Sequence, residues 1–345
     1  MKGKIDVYIR EGSLRYRFTL KRNITVVRGD SAKGKSTLVR ILEDYRDDME
    51  NSGRSSTIVD CICRVVTLDL DGWKYAQAFP EEYRDAIVVL DEHNKFIKSA
   101  DFARFVERSK AYFVLITRNN LTQLSYSIDE VYRMIMKNNE HILEKIYPSE
   151  NNFYINGFIK HKPSNILTED SGAGYTFFNT LSIECIKGSD NSKIYNKLEK
   201  KSYDDLMIIG DGAAFGAHIS KLGPLVKKRG YQLYLPESFE YLLYDKSIFG
   251  EGVSIIKSNT WDYAEGVSWE RFYTEQLGID LEDFNIKYNK HSLPDLFIDY
   301  ISTILINNNL EFLIDDSDNI DCKSKNSSNT KNNSKVLPLN LDGIN

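Results

Sequence analysis

The chain has 345 residues, enough for two domains, and its 41% hydrophobic and 12% aromatic content is that of a globular protein able to bury two cores. Forty-five basic against 50 acidic residues leave a net charge of −5, which excludes a globally basic nucleic-acid binder but not a local basic patch. No run approaches the roughly 18 apolar residues of a membrane span, and the opening MKGKIDVYIREGSL lacks the apolar segment of a secretory signal. Cys61, Cys63, Cys185 and Cys322 form no Cys-x-x-Cys pair and no disulfide framework, so a reducing cytoplasm is the expected compartment.

Ile5–Ile9, Leu14–Leu20 and Ile24–Val27 alternate apolar and polar residues around the turn Glu11-Gly12-Ser13, and they predict β-strands. Leu38, Ile41 and Leu42 at helical spacing predict a helix over Lys35–Tyr45. The β-branched stretch Thr57–Leu70 predicts one or two strands, and Ala86–Leu90 and Tyr112–Thr117 read as buried parallel strands flanking a helix at Phe102–Arg108. A turn at Pro148–Asn152 opens a second region. There a loop-rich stretch over His161–Gly174 precedes a strand at Thr180–Cys185, a helix at Ser192–Lys200 and a strand at Leu206–Ile209. A helix at Ala217–Lys228, a strand at Tyr231–Leu235 and helices at Trp269–Leu277 and Pro294–Ile306 follow. Lys323–Lys335 holds only Lys, Ser, Asn and Thr and cannot bury anything. Strands alternating with helices mean an α/β fold, with a first domain over 1–147, a second over 148–313 and a disordered tail over 314–345.

The first sharp motif is Gly29-Asp30-Ser31-Ala32-Lys33-Gly34-Lys35-Ser36-Thr37, which satisfies GxxxxGK[ST] between a predicted strand and a predicted helix. Gly29 and Gly34 permit backbone angles and close approaches that a Cβ would block. Backbone amides at a helix N-terminus then converge on phosphates, Lys35 reaches the β- and γ-phosphates, and the Ser36 hydroxyl serves a Mg²⁺ ion. Its second half is the apolar strand Ile87-Val88-Val89-Leu90 ending in Asp91 and Glu92. Asp91 is expected to hold the Mg²⁺, and Glu92 to orient or deprotonate the attacking water. Thr117 or Asn119, at the next strand tip, is placed to sense the γ-phosphate and Arg118 to neutralise it; a plain solvated strand end is the competing reading.

Through Gly29–Thr37, Ile87–Glu92 and Tyr112–Arg118 this region resembles the additional-strand P-loop ATPases. Its β-rich lead-in is similar to that of the ABC-type members, including the overcoming-lysogenisation-defect nucleases and the recombination ATPases. The resemblance implies a parallel P-loop NTPase sheet with N-terminal β-strands, binding ATP and Mg²⁺. It departs in having no Ser-Gly-Gly signature between Thr37 and Asp91, and Ser171-Gly172-Ala173-Gly174 reads as a flexible turn.

In the second region Glu184, Asp211 and Glu237 each follow a predicted strand. Parallel sheets bind ligands at the carboxyl ends of their strands, so these acids are expected to share one oxygen-rich site for a divalent metal. A phosphate pocket on Gly210–Gly216, or simple capping duty, are the alternatives. Strand–Glu–helix–strand–helix–strand–acid resembles the topoisomerase–primase (TOPRIM) domain, a Rossmann-like module that cuts or joins phosphodiesters. Here Glu237-Ser238-Phe239-Glu240 stands where that family has Asp-x-Asp. Lys193, Lys197, Lys200 and Lys201 on one helix and Lys221, Lys227, Lys228 and Arg229 on the next read as solvated faces, with phosphate contact the alternative. His93, beside Asp91 and Glu92, is placed to touch the γ-phosphate or its water, and His141, His161, His218 and His291 show no metal spacing. The expected function is an ATPase joined to a TOPRIM-like domain that acts on DNA or RNA, without a membrane partner; oligomerisation is not readable. A nucleotide-gated switch without nuclease chemistry, or a small-molecule kinase, are the competitors.

Overall fold

The computed structural model describes residues 4–29, 34–150, 152–157, 163–180, 184–188, 191–245, 269–282, 288–291, 293 and 298. The expected helix at Pro294–Ile306, the tail over 314–345, and Asp30, Ser31, Ala32 and Lys33 of the glycine-rich loop therefore lie outside the described residues, wholly or almost so.

The first 145 residues contribute strands β1 (Ile5–Glu11), β2 (Leu14–Leu20), β3 (Ile24–Arg28), β4 (Ile58–Asp60), β5 (Val65–Thr67), β6 (Ile87–Asp91), β7 (Tyr112–Ile116), β8 (Val131–Lys137) and β9 (Glu140–Lys145). Helices α1 (Lys35–Ser52), α2 (Leu70–Ala78) and α3 (Ala100–Arg108) connect them. The strands form one sheet in the order β4-β1-β2-β9-β8-β3-β7-β6-β5, parallel from β8 through β5. Alternation along the central strands divides the core. Val27, Val89 and Val114 pack with Leu38, Ile41 and Leu42 of α1. Val26, Val88, Leu90 and Leu115 face the other way, onto Trp73 of α2 and Phe102 and Val106 of α3. With both faces covered, these strands are apolar throughout, as the sequence pattern anticipates. Each fully buried aliphatic side chain contributes about 1.5–3 kcal/mol.

Two features differ from the sequence expectation. The stretch read as strand up to Leu70 ends at Thr67, because the Asp69 carboxylate accepts from Gly72 N (2.7 Å) and caps α2. The β8–β9 hairpin was not anticipated; its turn is Asn138-Asn139, both left-handed at φ 52° and 60°, the geometry of a tight hairpin that Asn tolerates.

A second, six-stranded sheet holds β10 (Ser149–Glu150), β11 (Phe153–Tyr154), β12 (Asn165–Thr168), β13 (Glu184–Lys187), β14 (Leu206–Ile209) and β15 (Gln232–Tyr234) in the order β10-β11-β15-β14-β12-β13. The last four in chain order run parallel. One face carries α4 (Ala173–Asn179), α7 (Phe239–Asp245) and α8 (Trp269–Glu282), through Phe177, Leu242, Tyr273 and Leu277. The other carries α5 (Asn191–Lys200) and α6 (Ile219–Arg229), through Ile194, Leu198, Leu222 and Val226. The chain is thus α/β with two mixed sheets. Here the sequence reading needs its largest correction. Asn165–Thr168, expected as loop, is the strand β12 between β14 and β13, and in Ser171–Gly174, expected as a flexible turn, Ala173 and Gly174 already belong to α4. Asp170 makes that helix start, its two carboxylate oxygens accepting from Gly172 N (2.7 Å) and Gly174 N (2.6 Å). The strand expected at Thr180–Cys185 consequently runs over Glu184–Lys187, with Thr180 at the end of α4.

The two sheets meet along the segment between β7 and β8. Ile128 N donates to Gly212 O (3.0 Å) and Gly216 N to Tyr126 O (2.9 Å). A Cβ on Gly216 would stand 2.4 Å from the Tyr126 ring, so only glycine fits this approach.

Candidate functional site

β3 ends directly in Gly29, whose φ of 123° is open to glycine alone, and α1 begins at Gly34, left-handed at φ 84°. The helix that follows is 18 residues long, so its N-terminal amides and dipole point at whatever the loop encloses. Lys35 is buried at 9% exposure, and its Nζ would lie 3.9 Å from a Cβ placed on Gly29. The ammonium therefore folds back across the mouth of the loop. Ser36 is exposed and Thr37 half-buried on the first turn.

The acidic strand tip lies on the same edge. β7 stands between β3 and β6, and Val27, Ile116 and Asp91 share one row across the three strands. At a strand spacing of about 4.8 Å, Asp91 is roughly 10 Å from the β3 tip, with β7 between the two strands. Asp91 is buried at 9% exposure, its Oδ1 accepting from His93 N (3.0 Å) and Asn94 Nδ2 (3.4 Å). His93 Nε2 lies 3.8 Å from Oδ2. Ser36 and Asp91 supply hard oxygen donors on one edge and fit a Mg²⁺ ion, which would neutralise phosphate charge. Thr117 is buried and tied to the sheet through its N–H to Val27 O (3.1 Å), with its hydroxyl accepting from Asn119 N (3.0 Å). Arg118 is placed differently from the sequence expectation. Its N–H donates to Glu92 Oε2 (3.1 Å) and its Nε lies 3.5 Å from Oε1, so it holds Glu92 at the strand tip. Glu92 is one-third exposed and Arg118 60% exposed, which makes this a weak, screened pair that a ligand can reorganise.

Two residues the sequence reading did not assign to this site back the loop from the outer strands. Tyr16 on β2 donates from its hydroxyl to Gly34 O (3.0 Å), and His141 on β9 stacks on Tyr16 with ring centroids 4.6 Å apart. The alternating pattern of β2 marks Tyr16 as a core position, whereas only the β2–β9 pairing brings His141 there.

The acids of the second sheet separate. Glu184 is the first residue of β13, level with Asn165 and Leu206 at the amino ends of β12 and β14, whereas Asp211 lies beyond the carboxyl end of β14. A four-residue strand advances about 10 Å from first to last residue. Glu184 is therefore at the opposite edge from Asp211 and does not join it. Glu237 does stand at the carboxyl edge, but its Oε1 pairs with Arg22 of the β2–β3 turn. Arg22, 7% exposed, also lies 3.9 Å from Glu130, whose Oε2 accepts from Thr25 (3.3 Å). Burial pushes the Glu130 carboxyl up to about 7, with Arg22 acting against it. The expected metal site on Glu184, Asp211 and Glu237 is not formed, and no group of three metal-ligating side chains occurs among the described residues.

The residues that do meet Asp211 follow β12: Glu169 Oε2 accepts from Asp211 N (2.9 Å). β12 continues to β13 on one side while β14 continues to β15 on the other, so Glu169 and Asp211 flank the switch point where α/β sheets open a crevice. A cavity of about 300 Å³ lies there, lined among others by Asp170, Glu240, Phe239 and Lys290. The basic helix faces are locally used. Lys197 Nζ donates to Lys187 O (2.5 Å), Lys221 sits 4.0 Å over the Tyr195 ring, and Arg229 donates to Lys201 O (3.1 Å). No helix among the described residues is long and apolar enough to cross a membrane. Comparison with protein-family models, with curated proteins and with solved structures finds no match to this chain.

Proposed function

We propose that the chain binds ATP with Mg²⁺ on Gly29–Thr37 and hydrolyses it, and that the bound state is passed to the second α/β domain. One observation carries this reading: a glycine-bounded loop with a buried Lys35 opens α1 on the same sheet edge as Asp91, with β7 between the two strands. Lys35 and the α1 amides would hold the phosphates, Ser36 and Asp91 the Mg²⁺, and Glu92 would take the proton of the attacking water. Thr117, fixed to β3 through Val27, is the residue suited to sense the γ-phosphate.

For the second domain, the switch reading is favoured over nuclease chemistry. Glu184 and Asp211 stand at opposite edges of the sheet, and Glu237 is committed to Arg22. Contacts from Tyr126 and Ile128 to Gly216 and Gly212, together with Asn120 accepting from Ser220 (2.7 Å), connect the β7 strand-tip segment to that domain. The test is calorimetric titration with Mg-ATP and measurement of phosphate release, each with and without DNA or RNA. Lys35→Ala is expected to lose tenfold or more in affinity, since a charge-assisted bond contributes about 1.5–3 kcal/mol. Equal affinity for the two proteins would reduce Gly29–Thr37 to a structural turn. Metal-dependent cleavage of the nucleic acid by the pure protein would restore the nuclease reading.

A further inference from the structure

We propose that the buried Tyr16–His141 stack is a positioning pair for the nucleotide site, holding Gly34 in its left-handed conformation and so aiming Lys35 and the first amides of α1; this rests on the nucleotide reading above. Gly34 closes the loop and is the N-cap of α1, yet no side chain caps that helix. Its carbonyl instead accepts twice, from Leu38 N (2.9 Å) and from the Tyr16 hydroxyl (3.0 Å). The first bond belongs to the helix. The second ties the loop to β2, an element outside the strand–loop–helix unit.

His141 completes the clamp by contact. A Cβ on Gly34 would stand 2.6 Å from His141 Cε1 and 3.0 Å from Nδ1, so the edge of the imidazole covers the Gly34 α-carbon and leaves room for hydrogen only. The ring is 8% exposed and lies nearly parallel to Tyr16, 16° between planes. Its Nδ1 is buried and meets no partner among the described residues, so stacking and the Gly34 contact, not a hydrogen bond from that nitrogen, set its place. A left-handed residue at the end of a loop is free to flip unless its surroundings over-determine it. Here one hydroxyl and one ring edge do so, and Gly34, where the loop enters α1, is set before any nucleotide arrives. Pre-organisation of this kind raises affinity by reducing the ordering that binding requires.

The test is titration of the full-length chain with Mg-ATP, alongside its thermal unfolding without nucleotide. Tyr16→Phe, which removes a single oxygen, is expected to weaken binding roughly threefold to tenfold. His141→Ala should weaken it about tenfold, whereas His141→Phe, which keeps a stacked ring of similar volume, should stay within about twofold of wild type. Gly34→Ala drives its methyl into the ring and should abolish binding, and adding His141→Ala should recover part of it. That reversal of sign separates positioning of the loop from a general loss of packing, which would make the double variant worse than either single one. Wild-type affinity in folded Tyr16→Phe and His141→Ala would overturn the inference. If His141→Ala does not fold, Tyr16→Phe decides alone. Failure of the wild-type chain to bind Mg-ATP, or equal binding by Lys35→Ala, overturns the nucleotide reading itself and the inference with it.

Discussion

Both sheets end their parallel strands in polar residues, but they put those residues to different use. At the edge of the first sheet, Gly29 and Gly34 bound the loop that leads into α1, Lys35 and Asp91 are buried, and Asp91 is bonded within its own turn, to His93 N and Asn94 Nδ2. At the edge of the second, the carboxylates are engaged by the protein. Asp170 starts α4, Glu169 receives the Asp211 amide, Glu240 accepts from Tyr288 (2.9 Å), and Glu237 meets Arg22 across the inter-sheet boundary. Acids at strand tips are therefore weak indicators of chemistry. They are equally good helix caps and ion-pair partners, and only the direction of the chain after each strand decides which.

The contrast can be broken most forcefully at Glu92. If the first edge is a hydrolytic site, Glu92→Gln should reduce ATP turnover by about 10²–10⁴-fold, because an amide does not accept the proton of the attacking water. ATP affinity should change little, and phosphate-release assays beside calorimetry separate the two. Unchanged turnover would leave Glu92 as an anchor for Arg118 and make the two edges alike.

Arg22 tests the claim that Glu237 belongs to the inter-sheet boundary. Arg22→Met leaves Glu237 and Glu130 without their cation and is expected to cost about 3–5 kcal/mol in urea unfolding. Adding Glu237→Met should return much of that loss, since replacing both members of a buried pair with apolar groups is often close to neutral. A double variant as unstable as the single one would mean that Glu237 has another partner.

Glu130 sharpens the same boundary through pH. Its carboxyl, normally near 4.5, is raised by burial to about 7 in the folded protein. The folded state then keeps a proton that the unfolded chain has released, so this site favours folding at low pH and loses that contribution as pH rises from about 4.5 through about 7. Glu130→Gln carries no such proton. Its stability relative to wild type should rise across that window, by on the order of 3 kcal/mol. Parallel melting-temperature profiles for the two proteins would refute the assignment. The smallest effect is expected at Asp170. Asp170→Ala removes the cap of α4 and should cost about 1 kcal/mol while leaving ATP binding unchanged.

What was legible in the sequence follows from how far apart the determining residues are. The glycine-bounded turn between β3 and α1 is a local object: a β-branched strand, two glycines that alone accept φ 123° and 84°, and a helix whose Leu38, Ile41 and Leu42 repeat at helical spacing. Its nine residues carry their own context, and the buried strands at Ile87–Asp91 and Tyr112–Ile116 were readable for the same reason, being apolar on both faces. The β8–β9 hairpin had a signal too, Asn138-Asn139 between strands, though its flanking alternation is broken by Met136 and Lys137.

The second edge was not legible, because its answer depends on one short strand. Asn165–Thr168 sits among turn residues and is too brief to show a period, and once it is taken as loop, Glu184 falls at the end of a strand instead of its start. Chain direction then puts a candidate ligand on the wrong edge of the sheet. Glu237 and His141 are further cases. Nothing near either residue in sequence announces Arg22 or Gly34, and both contacts exist only because sheet formation brings distant segments to one place. The local sequence determined where a glycine-bounded turn opens a helix, since backbone angles are set residue by residue. The tertiary structure alone decided which acids converge, because that depends on strand order, strand direction and the partners that burial supplies.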